Sequence, residues 1–327
     1  MILVTGGAGY IGSHTILQLL EQNYEAIIFD NFSNGHVETC DVLKKYGNIK
    51  VYKGDLKNFS DINKVFKENK IDAVLHFAAY IQAEESVKNP LKYYENNVSG
   101  TINLIKAMTE NNVDKIVFSS TAATYGDAVY TPVDENHPQN PVNPYGQSKL
   151  MTEKILDDCD GAYGIHSVRL RYFNAAGADK HARTGEMHNP ETHLIPNILK
   201  STFEGGKTFR MYGTDYETKD GTCVRDYINV EDLAKAHVMA LEYLFNGGET
   251  TFINLGTGTG SSVKEVFDAC EKITCKKIPV DIMPRREGDA AVIIADNKKA
   301  KDILGWVPEN DLNQSIKSAY DFEKTLH

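Results

Sequence analysis

The chain has 327 residues, of which 41% are hydrophobic and 24% are charged, as in ordinary globular proteins. This length corresponds to one large domain or two smaller ones and is enough to bury a sizeable core. The formal net charge of −10 argues against a general nucleic-acid or anionic-membrane binder, since such proteins need a basic surface.

No apolar run in the sequence approaches the ~20 residues of a membrane span, so we expect no membrane association. The first residues already have the pattern of a buried strand entering a turn, which leaves no room for a targeting peptide. The cysteines are odd in number, scattered and without a Cys-x-x-Cys pair: Cys40, Cys159, Cys223, Cys270 and Cys275. We therefore expect reduced thiols in a cytoplasmic protein, with no metal site.

Short β-branched segments alternate with helical segments through the first half of the chain. The predicted strands cover 2–5, 25–30, 49–53, 73–77, 115–120 and 167–172, and the predicted helices cover 11–22, 59–67, 93–111 and 145–159. Strands that alternate with helices form right-handed βαβ units around a parallel sheet. The sequence therefore predicts an α/β fold with a Rossmann-like, doubly wound parallel sheet.

The alternation loosens after about residue 175, where Gly, Thr, Asp and Pro become frequent. Later segments predict a helix over 230–244, a strand over 251–255 and a helix over 312–323. We expect residues 1–175 plus about 227–256 to form a dinucleotide-binding domain. Residues from about 176 to 226 plus 257–327 would form a smaller, interleaved C-terminal lobe that binds the substrate.

A glycine-rich segment follows the first predicted strand and opens the first helix. It contains both Gly-x-Gly-x-x-Gly and the wider Gly-x-x-Gly-x-x-Gly pattern, formed by Gly6, Gly7, Gly9, Tyr10, Ile11 and Gly12. Glycines allow a tight turn and a close approach of a pyrophosphate, which the helix N-terminus then stabilises. The alternative is a glycine turn in an unrelated α/β protein.

An acidic residue, Asp30, ends the second predicted strand 18 residues after Gly12. A carboxylate there accepts hydrogen bonds from ribose hydroxyls and repels a 2′-phosphate, and Asn31 rather than Arg follows it. These features favour NAD over NADP. Asp55 and Leu56, after the third strand, are candidates for contact with the adenine half, although Asp55 also fits a helix N-cap.

Tyr145 and Lys149 lie four residues apart at a predicted helix start, so both side chains share one helix face. Lowering the pKa of a phenol from about 10 to about 7 requires ~4 kcal/mol. An ammonium at about 5 Å supplies ~3 kcal/mol at an effective dielectric constant of about 20. An oxidised nicotinamide would supply the rest, so this pair predicts a phenol that acts as a base beside NAD⁺.

The fifth predicted strand closes with Ser119, Ser120 and Thr121. The carboxyl ends of strands face the ligand crevice in sheets of this kind. A hydroxyl there would bond the substrate oxygen and relay its proton to Tyr145. For Ser119 and Ser120, hydrogen bonding within the loop is an equally good interpretation.

Together these motifs resemble those of the extended short-chain dehydrogenases/reductases, carried by residues 6–12, Asp30, 76–79, 119–126, 145–149 and 171–174. Segments 221–227 and 284–289 narrow the resemblance to the UDP-glucose 4-epimerase family within that group, and the likeness runs from Met1 through Trp306. The resemblance implies interconversion of UDP-galactose and UDP-glucose by inversion at C4 through a 4-keto intermediate, with bound NAD.

The resemblance also implies roles for individual residues. Thr121, Tyr145 and Lys149 would be catalytic. The cofactor would further be bound by Phe77, Ala78, Ala79, Asn96, Ser119 and Tyr172. The UDP-sugar would be bound by Phe173, Asn174, the backbone of His193 and Leu194, Tyr212 against uracil, Arg225 and Arg286 on the diphosphate, and Asp289 on the ribose.

Two positions depart from the family pattern. Ile81 stands where some members have a cofactor-binding Lys. Ile293 stands where some members have a bulky Tyr that excludes N-acetylated sugars and others have a small residue that admits them. The acceptance of N-acetylated UDP-sugars is therefore open. Thr121 replaces the Ser of other members but supplies the same hydroxyl.

Other functions remain as alternatives. A nucleotide-sugar 4,6-dehydratase would need an Asp-Glu pair after the hydroxyl residue, where this chain has Ala122 and Ala123. A uronate epimerase or decarboxylase would need a cation for the sugar carboxylate. A non-catalytic NAD-binding protein would have no need for Tyr145 and Lys149.

The resemblance implies a homodimer that packs through helices 92–111 and 145–160. Apolar residues lie along both helices: Leu104, Ile105, Met108, Met151 and Ile155. The same residues could instead face the sheet.

Overall fold

The computed structural model describes residues 1–286 and 290–327. The strands, numbered β1 to β14 in chain order, are Ile2–Thr5, Ala26–Asp30, Ile49–Lys53, Ala73–His76, Lys115–Ser119, His166–Tyr172, Asn174–Ala176, Phe209–Tyr212, Val224–Arg225, Tyr227–Asn229, Thr251–Leu255, Ser261–Ser262, Val280–Met283 and Val292–Ile293. The α-helices, numbered α1 to α12, are Tyr10–Glu21, Val37–Leu43, Phe59–Glu68, Ala83–Lys88, Pro90–Tyr93, Gly100–Glu110, Pro144–Tyr163, Leu194–Lys200, Val230–Phe245, Val263–Thr274, Lys298–Leu304 and Leu312–Glu323. Tyr94–Ser99 is a π-helical turn and Ala122–Thr124 a 3-10 turn.

The central sheet has seven strands in the order β3-β2-β1-β4-β5-β6-β11. The pairs from β3 through β6 are all parallel. This is the strand order of a Rossmann fold, and the predicted fold class is confirmed. The predicted helix 93–111 is wrong in detail, because its first turn forms the π-helical turn that precedes α6.

The chain divides into two compact units. The first comprises Met1–Gly126, Pro138–Arg171 and Ala234–Ile253, and the second Asp127–His137, Tyr172–Leu233 and Asn254–His327. The sequence-based domain boundaries stay a prediction.

The core of the first unit is built from buried strands covered by amphipathic helices. All residues of β1, β2 and β4 are buried, as expected for strands covered on both faces. The helix α3 begins after the N-cap Asn58, whose side chain accepts the Ser60 N–H, and buries Ile62, Val65 and Phe66.

The second unit has a separate core and smaller sheets. β10 pairs with β7 and β13 pairs with β8, both in parallel, while β9 lies between β12 and β14. The helices α8, α10 and α12 pack together around residues such as Ile198, Val266 and Ile316. α10 starts with a capping box formed by Ser262 and Glu265.

Two features bear on location. In the part of the chain that the structure describes, no helix has the length and apolar character to cross a membrane. All five cysteines are free thiols, of which Cys275 is exposed and the other four are buried.

Candidate active site

The glycine-rich loop connects β1 to α1 through a turn that only glycine fits. Gly6 has φ +72°, and a Cβ there would lie 2.7 Å from the Ala78 nitrogen. A Cβ at Gly12 would lie 2.3 Å from the Gly6 carbonyl oxygen, which is backbone and cannot rotate away. The loop therefore has the tight, close-approach geometry that a pyrophosphate-binding turn requires.

The N-terminus of α1 is suited to an anion. Its N-cap is Gly9, and within the described chain no side chain caps this end and no acidic residue occupies the first turn. Tyr10 is buried and Ile11 partly buried, as the first residues of the helix. The positive end of the helix dipole is thus left for a ligand phosphate.

Asp30 lies beside this loop, at the end of β2. Its Oδ2 accepts the Ala8 N–H at 3.0 Å and its Oδ1 accepts the Phe32 N–H at 2.8 Å. Burial raises the pKa of this carboxyl, whereas the two backbone N–H groups lower it. Because a carboxylate has about four acceptor positions, two remain for ribose hydroxyls.

Asp55 and Asn31 are brought together, with the Asn31 amide donating to Asp55 Oδ2 at 3.3 Å. The alternative interpretation of Asp55 as a helix N-cap is wrong, since α3 is capped by Asn58. Leu56 is 5% exposed and packs in the core of the first unit.

The residues after β4 lie against the glycine loop. The Thr5 carbonyl accepts the N–H groups of Phe77 and Ala78 at 2.9 and 3.1 Å. The Phe77 ring lies 4.7 Å from that of His237, between centroids. Ala79 is partly buried.

His76, at the end of β4, is held between two hydroxyls. Its Nδ1 is 2.6 Å from Thr5 Oγ1 and its Nε2 is 2.8 Å from Thr101 Oγ1. Burial and, secondly, the Lys149 charge lower the pKa of His76 to about 3. The imidazole is therefore neutral near pH 7 and acts as a structural link.

Asn96 and Ile81 are partly buried. Asn96 donates to the amide oxygen of Asn97 at 3.0 Å. Asn97, which the sequence analysis did not single out, is 3% exposed and bonds both backbone groups of Tyr80 and the Ser148 hydroxyl. It thereby ties the π-helical turn to α7.

Tyr145 lies in the first turn of α7, which begins after the N-cap Asn143 and Pro144 at N1. The structure brings Tyr145 close to Thr121, one of its predicted partners, so that the Thr121 hydroxyl influences the ionisation of the phenol. Burial raises the pKa of Tyr145, and the Thr121 hydrogen bond opposes that shift. Thr121 also accepts the Ala123 N–H at 3.1 Å, which fixes its rotamer.

Lys149 is 3% exposed, one turn after Tyr145. Its Nζ donates to the Ser119 carbonyl at 2.7 Å and lies 4.8 Å from the Phe118 ring centroid. Burial lowers the pKa of Lys149 to about 7, while the charge of Glu153 opposes this shift. The predicted lowering of the Tyr145 pKa by Lys149 stays a prediction.

A buried ion pair that the sequence analysis missed stands behind these residues. Glu153 accepts from Arg171 Nε at 2.9 Å and from its terminal nitrogen at 2.5 Å. Ser120 donates to Glu153 at 2.5 Å, and Arg171 also donates to the Tyr125 hydroxyl at 2.9 Å. Ser120 therefore serves this network through a side chain rather than through loop backbone. No sequence spacing pointed to this pair, because Glu153 and Arg171 lie 18 positions apart on different elements.

A cavity of ≈ 1030 Å³ lies within the second unit. Six of the predicted substrate residues line it: Asn174, His193, Leu194, Tyr212, Arg225 and Arg286. Among the described residues that line the cavity, additional cations come from Lys200, Lys207 and Arg210, and one carboxylate comes from Asp281. This charge suits an anionic ligand such as a diphosphate.

Two predicted site residues of the second unit are not among the described residues that line the cavity. They are Phe173, predicted to bind the substrate, and Tyr172, predicted to bind the cofactor, and both are partly buried. Asp289 lies outside the described residues.

The two predicted diphosphate ligands differ in how they are held. Arg225 donates to the carbonyl oxygens of Val224 and Ala290 at 2.9 and 2.8 Å. The Arg286 guanidinium is exposed and lies 4.1 Å from the Tyr212 ring centroid. Ile293 of β14 is partly buried and pairs with Arg225 of β9.

Asp226, beside Arg225, has a different role from its neighbour. Its carboxylate accepts the N–H groups of Thr257, Gly258 and Ala295 at 2.8 to 3.2 Å. It is fully buried and joins three backbone segments of the second unit.

A second cluster missed from the sequence lies before α8. It consists of Glu186, His188, Glu191 and His193. Their Glu-x-His-x-x-Glu-x-His spacing was the signal that could have revealed it.

Comparisons with known proteins agree over nearly the whole chain. A family model described as GDP-mannose 4,6 dehydratase matches residues 3–319. A UDP-glucose 4-epimerase of Rhizobium leguminosarum bv. trifolii is 50% identical over 321 residues, which cover 98% of this chain and 96% of that protein.

Two solved structures are similar over the same extent. The UDP-glucose 4-epimerase of Bifidobacterium longum in complex with NAD⁺ and UDP has a TM-score of 0.94 and 41% identity, covering 99% of this chain and 98% of that one. The UDP-Glc/GlcNAc 4-epimerase of Campylobacter jejuni has a TM-score of 0.87 and 42% identity, covering 99% of both chains. With a glycine loop, an acid after β2 and a Tyr-Lys pair on α7, the chain belongs to the UDP-glucose 4-epimerase family of the extended short-chain dehydrogenases/reductases.

Proposed function

We propose that this chain is an enzyme that interconverts UDP-galactose and UDP-glucose by inversion at C4 through a 4-keto intermediate, with NAD as resident cofactor. The observation that carries the proposal is the placement of the Tyr145 phenol, near Thr121 and one helical turn before the buried Lys149. Two relatives that are 50% and 41% identical to this chain are named UDP-glucose 4-epimerases.

The residues of the first unit fit a bound dinucleotide. The Gly6 and Gly12 positions leave room only for backbone, and Asp30 retains acceptor positions for ribose hydroxyls. The Asp30 charge disfavours the extra phosphate of NADP. When bound, NAD accepts the hydride from C4 and returns it to the keto sugar. We assign Phe77, Ala78, Ala79, Asn96, Ser119 and Tyr172 to the same cofactor, with Asp55 and Leu56 near its adenine half.

Tyr145 is the acid–base group of the reaction. As the phenolate it removes the proton of the sugar 4-hydroxyl, and as the phenol it returns that proton after the sugar has turned. In this mechanism the Thr121 hydroxyl bonds the substrate oxygen and relays its proton to Tyr145.

Lys149 supports the phenolate by its charge. Burial lowers the pKa of Lys149 to about 7, so its charge is sensitive to pH near neutrality. A phenolate nearby favours the ammonium form, so we expect Lys149 to be charged when Tyr145 acts as a base.

The cavity of the second unit binds the UDP part. Arg225 and Arg286 bind the diphosphate through planar guanidinium groups, and Tyr212 packs against uracil. Asn174, Phe173 and the backbone of His193 and Leu194 contact the UDP-sugar. In this assignment most of the NAD contacts come from the first unit and most of the UDP contacts from the second, with Asp289 assigned to the uridine ribose.

A second candidate function is the conversion of N-acetylated UDP-sugars. Ile293 is aliphatic rather than a tyrosine, and the Campylobacter jejuni neighbour with 42% identity is a UDP-Glc/GlcNAc 4-epimerase. We propose that this chain also accepts UDP-N-acetylgalactosamine.

Dehydration is a poorer fit, although the matching family model is described by that activity. The 3-10 turn after Thr121 carries Ala122 and Ala123, whose methyl groups cannot transfer protons. An elimination of water needs an acid and a base at those positions.

We propose a homodimer that packs through α6 and α7. Leu104, Ile105 and Met108 do not contribute, because they are buried in the core of the first unit, whereas Met151 of α7 is 38% exposed. Light scattering during gel filtration tests this assembly, and a mass near 36.4 kDa would contradict it.

We also propose a cytoplasmic location. All five cysteines are free thiols, as expected in a reducing compartment.

The function is tested with the purified chain and no added cofactor. UDP-galactose and then UDP-N-acetylgalactosamine are supplied, and the C4 configuration is followed by NMR. We expect conversion of both without added NAD. The matched control for a change at Tyr145 is Tyr163→Phe, which removes an exposed phenol from the same helix, α7, and should leave turnover unchanged. Failure to convert either sugar after NAD is supplied would contradict the proposal.

A further inference from the structure

Four side chains before α8 bring their nitrogen and oxygen ligand atoms within 4.8 Å of one another: Glu186, His188, Glu191 and His193. We propose that this cluster, named the 186–193 cluster, is a structural binding site for a divalent transition-metal ion of the zinc class. The 186–193 cluster takes no part in the proposed epimerase reaction. An ion bound there would stabilise one wall of the cavity in the second unit.

The two imidazoles converge on one carboxylate oxygen. Nδ1 of His188 lies 2.8 Å from Glu186 Oε1, and Nδ1 of His193 hydrogen-bonds the same oxygen. Both rings therefore aim the same nitrogen at one point. Once each Nδ1 proton has moved to Nε2 or to solvent, two nitrogen lone pairs and one carboxylate oxygen face a common centre.

Glu191 supplies the fourth ligand. Its Oε1 lies 3.8 Å from His193 Nδ1 and accepts the N–H groups of Thr192 and His193 at 2.8 and 3.0 Å. Lys200 lies 3.3 Å from the other oxygen, Oε2. The backbone and the lysine thus hold the carboxylate in place while Oε1 faces the cluster.

The donor set and its burial select the kind of ion. The Glu186 and Glu191 side chains are 5% and 6% exposed, so these carboxylates are built into the fold rather than displayed on its surface. Two imidazole nitrogens with two carboxylate oxygens suit zinc, whose bonds of about 2.0–2.2 Å place tetrahedral ligand atoms ~3.3 Å apart. The ligand atoms lie within 4.8 Å of one another, and His188 Nδ1 is 2.8 Å from Glu186 Oε1, so this nitrogen must move away from Oε1 by about 0.5 Å when an ion enters.

Four ligands from one eight-residue segment form a closed site, as in structural zinc centres. His193 is the N-cap residue of α8, and Thr192, His193 and Leu194 line the cavity. An ion here would fix the backbone that forms this wall.

The test uses tag-free full-length chain, dialysed against a chelator and titrated with Zn²⁺, with bound metal measured by mass spectrometry. We expect one ion per chain and a raised melting temperature. His188→Ala should weaken the affinity about 100-fold or more, since it removes a direct ligand. His181→Ala, which removes an exposed imidazole of the same segment, should bind as the parent does.

Two results would overturn the proposal. One is equal binding by the parent and His188→Ala, which would mean an adventitious ion only. The other is no binding by the parent, which would mean a hydrogen-bonded cluster only. Should His188→Ala fail to fold, Glu191→Gln serves instead, because it keeps the N–H acceptor and removes the charge. NAD content and UDP-galactose turnover are measured on the same samples, so a failure of the proposed epimerase function is seen separately.

Discussion

The buried ion pair behind the candidate active site allows a quantitative prediction. Glu153→Gln keeps the side-chain volume but removes the charge that faces Arg171. The side chains of Glu153 and Arg171 are 3% and 2% exposed. Of the two hydrogen bonds that Arg171 donates to Glu153, at 2.9 and 2.5 Å, only one can be kept by the single oxygen of Gln, and the bond to Tyr125 remains. Its guanidinium also remains 4.2 Å from the Phe252 ring centroid.

The size of the effect follows from the uncompensated guanidinium. Breaking a buried pair by removing one partner costs ~3–5 kcal/mol. That loss corresponds to a rise of about 10²–10⁴ in the unfolding equilibrium constant and is a large share of a typical total stability of about 5–15 kcal/mol.

Urea unfolding followed by circular dichroism measures this loss. Asp157→Asn in the same helix is the matched control, because Asp157 is 56% exposed and its partner Arg169 keeps its hydrogen bonds to the Thr251 and Glu153 carbonyl oxygens. We expect this change to cost less stability than Glu153→Gln. A double change to Glu153→Leu and Arg171→Met should recover most of the stability, since packed apolar groups replace such pairs well.

The same substitution affects the chemistry through Lys149. The Glu153 charge raises the pKa of Lys149, so its removal lowers that pKa below about 7. The ammonium is then lost at a lower pH, and the alkaline decline of turnover should move to lower pH. The reasoning is refuted if Glu153→Gln is as stable as Asp157→Asn and its pH profile is unchanged.

Three further substitutions test the proposed site. Tyr145→Phe should lower turnover about 10²- to 10⁴-fold while melting temperature and NAD content stay unchanged, and near-parental turnover would contradict the acid–base role. Lys149→Met should raise the pH at which the phenol ionises, so an unaltered pH–rate profile would count against its electrostatic role. Gly12→Ala should abolish NAD retention, measured by absorbance after gel filtration, because its Cβ would lie 2.3 Å from the Gly6 carbonyl oxygen. The control for Gly12→Ala is Gly161→Ala in α7, where an added Cβ meets no atom within 4 Å. This change should raise the stability of the helix by about 0.5–1 kcal/mol.

The sheet could be predicted because its signals are local. All seven strands of the central sheet and the helices α1, α3, α7, α9 and α12 were located to within a few residues, since hydrophobic periodicity and glycine turns lie within short windows. α10 was missed although its capping box, Ser262 with Glu265, is present in the sequence. The π-helical turn carries no periodic signal of its own.

The candidate site was predictable where motifs carry it and not where tertiary contacts do. The Tyr145–Lys149 spacing and the loop at Gly6 are visible in the sequence. The Glu153–Arg171 pair joins residues 18 positions apart, and Asp226 bonds the Thr257 backbone 31 positions away. Only the fold brings such groups together, so spacing alone could not reveal them.

The cysteines provide a built-in probe of local opening. Burial raises the pKa of Cys40 to about 11 and that of Cys270 to about 12, so at pH 8 about one thiol in a thousand or fewer is a thiolate. Cys40 and Cys159 belong to the first unit, and Cys223 and Cys270 to the second. Once the exposed Cys275 is replaced by serine, the rate at which a thiol reagent labels each remaining cysteine would report how often its own unit opens.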